Sequence, residues 1–173
     1  HRDLHSFPTR RSSDLEAEPR NGLHLHPLGE SRICALVPAS HPWATLPKGI
    51  GLEQLNEVIM VLREPGSITR RTFDDACLAT NVQPRVLLEL DSREAVTEAV
   101  AAELGVGVVS SMEVSQDPRV QAVPIRGEGL LNRHMLGCME RRRSLRLIQA
   151  FFELAPMKGL VPEQDATIKP LRT

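Results

Sequence analysis

The chain has 173 residues, 41% hydrophobic and 25% charged, which suffices for one ordinary core, or one domain and part of another, and excludes a disordered tail. With 21 Lys and Arg against 22 Asp and Glu, the formal net charge is -1, so no overall positive field argues for nucleic-acid binding by these residues. Cys34, Cys77 and Cys138 form no C-x-x-C pair, no apolar run approaches the roughly 20 residues that span a bilayer, and no signal-peptide pattern opens the chain; a cytoplasmic location without membrane contact is expected.

Residues 1–15, with His5-Ser6-Phe7-Pro8-Thr9-Arg10-Arg11-Ser12-Ser13-Asp14-Leu15, lack helical or strand periodicity and read like the in-frame translation of a DNA-sequencing adapter. They are expected to be non-native, with the true protein extending upstream of Glu16. From Ser31 onward, strands and helices alternate. Ile33 to Val37 is a buried strand closed by Pro38, and Ser40 to Trp43 is a turn. Gly51 to Leu55 is a short helix, and Val58 to Leu62 a second strand. Thr69 to Leu78 has helical spacing, with Phe73, Ala76 and Cys77 on its apolar side and Arg70, Arg71 and Asp75 on its polar side.

Val86 to Leu90 is a third strand. Asp91 and Glu94 are spaced as a capping box for a helix over Arg93 to Leu104, whose buried face is Val96, Val100 and Leu104. Gly105 to Ser110 is a glycine turn and a fourth strand; Val120 to Ile125 and His134 to Met139 are extended. A last amphipathic helix, Ser144 to Leu154, is expected to bury Leu145, Ile148, Phe151 and Phe152. This alternation predicts an α/β fold with a mainly parallel sheet.

The strongest local signal is Arg63-Glu64-Pro65-Gly66-Ser67-Ile68-Thr69-Arg70, which puts Gly66 and the hydroxyls of Ser67 and Thr69 at a helix start that follows a strand. Free N–H groups and the positive end of the helix dipole suit a carboxylate, sulfate or phosphonate there; ordinary N-capping by Ser67 or Thr69 explains the same residues without a ligand. Asp91-Ser92-Arg93 repeats the arrangement at the end of the next strand, where open α/β sheets bind ligands, although Asp91 would repel an anion. Ser92 is a secondary candidate.

Enzyme signatures are absent: no G-x-S-x-G, no G-x-x-x-x-G-K-[ST], no H-E-x-x-H, and Gly105-Val106-Gly107 lacks the third glycine of a dinucleotide site. No cofactor and no metal are expected. His24 and His26 read as an exposed loop, His41, His134 and the cysteines as structural, and Arg141-Arg142-Arg143 as a solvated strand end.

From about Ile33 to Ala155 the chain resembles the effector-binding domain of LysR-type transcriptional regulators. The resemblance is carried, in order, by Ala35-Leu36-Val37-Pro38-Ala39-Ser40-His41-Pro42-Trp43-Ala44, by Arg63 to Arg70 and by Glu89-Leu90-Asp91-Ser92-Arg93-Glu94-Ala95-Val96. Val100 to Val109 and the helix containing Ala150-Phe151-Phe152 complete the series. It implies a type 2 periplasmic-binding-protein-like α/β fold, two subdomains joined by crossing strands with the effector between them.

On that pattern, residues 16–37 are a remnant of the first subdomain and a crossover strand, 38–115 the second subdomain, 116–155 the return strand and the end of the first subdomain, and 156–173 a tail. The first subdomain is then incomplete and a DNA-binding helix-turn-helix is missing upstream, so poor solubility is expected. By the same resemblance Ser67 and Thr69, with Gly66 before them, match positions that commonly contact an anionic effector, while Ser92 and Arg93 lie near the hinge-side cleft. Glu103 departs from the family's usual glycine, which puts the shape of that helix end in doubt. Asp91 to Val96, Val108-Val109-Ser110 and Asp117-Pro118-Arg119 are most similar to regulators of aminoethylphosphonate catabolism.

The function implied is sensing of a small anionic effector, a phosphonate in the specific case, by a homo-oligomeric DNA-binding regulator. A solute receptor of a transporter and a small enzyme using the same cleft are the rival readings.

Overall fold

The computed structural model describes residues 22–154. The first element is one long strand, β1 (Leu23–Pro38), which organises most of the fold. Its C-terminal half lies between β5 (Gly107–Ser110) and β6 (Val120–Arg126), both antiparallel to it, with Cys34 opposite Val109 on one side and Pro124 on the other. Its N-terminal half pairs antiparallel with β7 (Leu131–Met139), from Arg32 opposite Leu131 to Leu23 opposite Met139. The short β2 (Ile50–Gly51) adds to β6 in parallel.

A second sheet pairs β3 (Ile59–Arg63) in parallel with β4 (Arg85–Leu90). Between them runs α1 (Ile68–Thr80), as a crossover between parallel strands requires. A bridge from Met60 to Val106 joins β3 to the segment leading into β5, and α2 (Arg93–Ala101) makes the connection from β4 to β5. Short 3-10 turns at Pro42–Thr45 and Leu52–Leu55 take the places of the expected turn and short helix. The chain closes on α3 (Arg146–Leu154).

The expectation of a mainly parallel sheet is corrected. Parallel pairing is confined to the strands around β3, where a helix returns the chain to the same end, and to the two-residue β2 on β6. The strands β6 and β7 run back along β1 instead, so every ladder of β1 is antiparallel.

The apolar run Ile33–Val37 is explained by burial on both faces. Ile33, Ala35 and Val37 enter one core with Phe73, Ala76 and Cys77 of α1, whereas Cys34 and Leu36 enter another with Val96 and Val100 of α2. Strand β6 alternates likewise, Val123 and Ile125 toward the first core and Val120 and Ala122 toward the second. The two helices therefore lie on opposite faces of this sheet.

Three further expectations fail. Helix α2 ends at Ala101, leaving Leu104 46% exposed beyond it. Arg70, assigned to a polar face, is buried, because Asp74, Glu89 and the Arg63 carbonyl surround its guanidinium. Helix α3 buries none of its residues: Phe151 and Leu154 are exposed and Phe152 is half-buried, as is Ile148, and Leu145 just before it is exposed, since among the described residues little covers its apolar side.

All three cysteines are free and buried. Burial pushes the Cys34 thiol up to about 11 against a small opposing effect of Arg32, and the Cys77 thiol up to about 12 with help from Asp74. The fold favours the protonated thiol, so this contribution to stability is complete below the unfolded thiol's value of about 8.5 and is lost as pH rises through the folded values. Iodoacetamide at pH 8 should label these two cysteines far more slowly in the folded chain than in urea, read by mass spectrometry. Equal rates would contradict their burial.

Candidate functional site

The start of α1 rests at the carboxyl end of β3. Its first intrahelical bond runs from the Arg71 N–H to the Ser67 carbonyl, which leaves the N–H groups of Ile68, Thr69 and Arg70 without an acceptor in the helix. Ser67 occupies the N-cap position, half-buried, but its hydroxyl makes no capping bond. Ordinary capping thus does not account for this serine. No acidic residue lies in the first turn to offset the positive end of the helix dipole. Gly66 is exposed, and a Cβ there would meet only Glu64 Cγ at 3.9 Å, so no steric demand fixes a glycine.

Thr69 and Thr72 face the crossing strand β7. Thr72 Oγ1 donates to the buried Asn132 Oδ1 at 2.6 Å, and Asn132 Nδ2 donates to Thr69 Oγ1 at 3.5 Å. With its oxygen accepting from Asn132, Thr69 keeps its own O–H to donate. Asn132 stands directly opposite Ser31 in the β1–β7 ladder. There Ser110 Oγ donates to Ser31 Oγ at 2.9 Å, and Ser31 Oγ shares a 2.9 Å bond with His134 Nε2.

Ser31 and Ser110 are buried, so this hydroxyl chain forms a satisfied polar floor next to the apolar core. Sequence reasoning missed Thr72, Asn132, Ser31 and Ser110 and took His134 as merely structural. The available signal was a set of small polar residues in otherwise apolar strands.

The second predicted helix start is different. Ser92, not Asp91, is the N-cap: its hydroxyl accepts from the Ala95 N–H at 3.1 Å, and the expected Asp91–Glu94 box does not form. Both residues suit the position in sequence; the backbone puts the serine there. Glu94 lies in the first turn, and Arg93 is paired with Glu113 at 2.9 Å. The ends of β3 and β4 do meet, through a 3.0 Å bond from the Glu64 N–H to the Leu90 carbonyl. Yet no hydrogen bond among the described residues links Ser92 or Arg93 to Ser67 or Thr69.

Nearby, the Arg63 guanidinium holds the Glu64 carboxyl below the usual range, and that ion pair borders the loop. What the hydrogen bonds bring together is Thr69, Thr72 and Asn132, with the Thr69 hydroxyl and the second Asn132 N–H left to donate, while Ser67 precedes them at the N-cap.

Other expectations resolve away from this site. His24 and His26 lie in β1, half-buried against Phe152 at ring distances of 5.3 and 5.9 Å, because β7 supplies the ladder that makes this segment a strand rather than a loop. With Arg143, Gln149 and Glu153 they line a shallow concavity beside α3. Arg141 and Arg142 sit in an exposed 3-10 turn after β7.

Glu103 takes the left-handed backbone, φ 61°, that glycine adopts, and its carboxylate accepts from Ser40 Oγ at 2.9 Å. Asp117 and Arg119 form an exposed ion cluster with Glu98 that ties α2 to the start of β6, and Arg119 holds both carboxyls below their usual range. Residues 1–21 and 155–173, with the adapter-like stretch and the tail, lie outside the described residues.

Residues 13–157 match the LysR substrate binding domain family. Among curated proteins, the chain is similar to the HTH-type transcriptional regulator CysL of Bacillus subtilis (strain 168), 31% identical over 97 residues covering 56% of this chain and 32% of CysL. It is also similar to the HTH-type transcriptional regulator CbbR of Xanthobacter flavus, 28% identical over 152 residues, with 84% and 43% covered. The chain thus spans less than half the length of these regulators.

Among solved structures, the CcmR regulatory domain of Synechocystis PCC6803 in complex with 2-PG superposes with a TM-score of 0.68 at 23% identity, over 80% of this chain and 68% of that one. HinK, a LysR family transcriptional regulator from Pseudomonas aeruginosa, does so with 0.71 at 18%, over 82% and 50%. The fold is the expected α/β fold of LysR effector-binding domains, type 2 periplasmic-binding-protein-like. With the family match running over most of its length, the chain belongs to the LysR substrate binding domain family.

Proposed function

We propose that this chain is the sensing part of a cytoplasmic LysR-type DNA-binding regulator, and that it holds a small anionic effector, with phosphonates as the first class to test, against the start of α1. The observation that carries the site is the Thr69 hydroxyl, which accepts from the Asn132 amide and keeps its own proton, two residues after a Ser67 hydroxyl that is at the N-cap yet uncommitted to the helix. The effector lies between a subdomain of residues 38–115 and the crossing strands with the rest of the chain. Ser92 and Arg93 border the same cleft from the α2 side. Binding changes the preference for a closed cleft, and the regulator's oligomer and its separate helix-turn-helix respond to that preference.

No covalent step is needed, and the curated relatives named above are regulators rather than enzymes. The complex of a structural neighbour with 2-PG supports a small-molecule site in this fold.

The test is titration calorimetry with sulfate, small carboxylates and phosphonates, on the chain and on its S67A/T69A variant. Hydrogen bonds to a charged ligand contribute about 1.5–3 kcal/mol each, so the double replacement should weaken binding about a hundredfold or more. Equal affinity in the two proteins removes the site. Thermal melts must show that the variant remains folded.

A further inference from the structure

A second groove, of about 490 Å³, borders Ile59 at the opposite end of β3 from the start of α1. Pro38, Pro42, Val58 and Ile59 give it apolar walls, and Ile59 is 47% exposed. The Val106 N–H donates to the Ile59 carbonyl at 2.9 Å, and a Cβ on Gly105 would lie 2.9 Å from the same oxygen. Two backbones in such close contact make a stiff floor.

Among the described residues, Glu103 is the one acidic residue on the lining, and no lysine or arginine joins it there. It follows the C-cap of α2. The N–H groups of Glu103 and Leu104 return to the carbonyls of Val100 and Ala99, at 2.9 and 3.1 Å, a closure that favours glycine at the left-handed position. With φ at 61°, a glutamate there costs stability relative to glycine. Its charge also sits beside the negative end of the helix dipole. The single hydrogen bond from Ser40 Oγ to Oε1, between exposed side chains, offsets little of this, and among the described residues Oε2 has no partner.

We propose that this groove binds a small organic cation, an ammonium, amidinium or guanidinium group on a flat apolar body, with the charged group on the Glu103 carboxylate and the body on Val58 and Ile59. An amidinium can donate to both carboxylate oxygens, because Ser40 occupies only one lone pair of Oε1. The bound cation neutralises the charge at the helix end, and its apolar body covers Ile59. This site is separate from the effector site, takes the opposite charge and does not rest on it.

Benzamidine is the probe, with benzyl alcohol as its neutral counterpart, in calorimetric titrations of the full chain. The expected result is a dissociation constant of about 1 mM for benzamidine at low salt, about tenfold weaker binding of benzyl alcohol, and a loss of benzamidine affinity as salt rises. E103Q keeps an acceptor for Ser40 and should weaken benzamidine about tenfold, with thermal melts showing that it is folded. E103G should do the same while melting at a higher temperature than the parent, because it removes both costs of the glutamate.

Failure of benzamidine to bind, or equal binding of benzamidine and benzyl alcohol, overturns the proposal. So does a folded E103Q variant that binds benzamidine like the parent. If E103G does not melt higher, the glutamate serves the fold and the proposal falls as well. If N-acetylarginine methylamide binds where benzamidine does not, the groove belongs to an arginine of a partner protein, and a free cation is not its ligand.

Discussion

Phe73→Ala should lower the unfolding free energy by about 3–5 kcal/mol, seen as a large fall in the urea midpoint at unchanged slope. Phe73 is completely buried near the middle of α1, in the core shared by Ile33, Ala35 and Val37 of β1 and Met60 and Leu62 of β3. Removing its ring takes away the burial energy and leaves a hole between a helix and two strands that cannot all move inward together. Leu78, on the same helix but 76% exposed, is the control: Leu78→Ala should change stability by no more than about 0.5 kcal/mol. Similar losses at both positions would mean that α1 does not pack as described.

Gly49→Ala should be nearly as damaging, at about 2–5 kcal/mol, although it adds only one carbon. Gly49 closes the turn before β2 with φ at 67°, where a side chain costs about 1–2 kcal/mol. The added Cβ would come 2.0 Å from the Pro124 carbonyl oxygen and 2.8 Å from its carbon. Both belong to the backbone of β6, held against β1 on one side and β2 on the other, so the relief must come from a shift of the strand, costing a further 1–3 kcal/mol or about that. Calorimetric melts of the variant and the parent compare them directly. An unchanged melting temperature would show that the turn has another conformation, and Gly66→Ala, at an exposed position with open space around it, should indeed leave the melt unchanged.

What the sequence made legible was local. The run Ile33–Val37, the helical spacing around Phe73 and the glycine turn before β5 each declare their structure within a few residues, and each is where it was expected. The resemblance to the LysR effector-binding domain, built from ordered short segments, likewise matches the family that covers residues 13–157.

What stayed hidden depends on partners far along the chain. His24 and His26 alternate with Leu23 and Leu25, a strand pattern, but an isolated histidine-rich segment becomes a strand only when residues 135–139 lie beside it. Arg70 is buried because Glu89, nineteen positions later, comes to meet it. Helix α3 shows the opposite case: its apolar periodicity is unmistakable, but periodicity tells which side is apolar and not whether anything covers it.

The candidate site divides in the same way. That Ser67 and Thr69 begin a helix was readable from the strand, the glycine and the spacing. That Asn132 meets Thr69 and Thr72, sixty residues beyond the latter, was not. For α2, Asp91 and Ser92 are both good N-caps, and only the backbone distinguishes them.

Between Ile33 and Val37, strand β1 sends its odd-numbered residues to one core and its even-numbered residues to the other. Its tolerance of mutation should therefore have two distinct grammars. Exchanging one aliphatic residue for another between Ile33 and Val37 is a change of spelling that repacking can absorb. Deleting a single residue from that stretch is a change of reading frame in space: every later side chain up to Pro38 would point to the wrong core, and β5 and β6, locked to the strand from both edges, would have to follow.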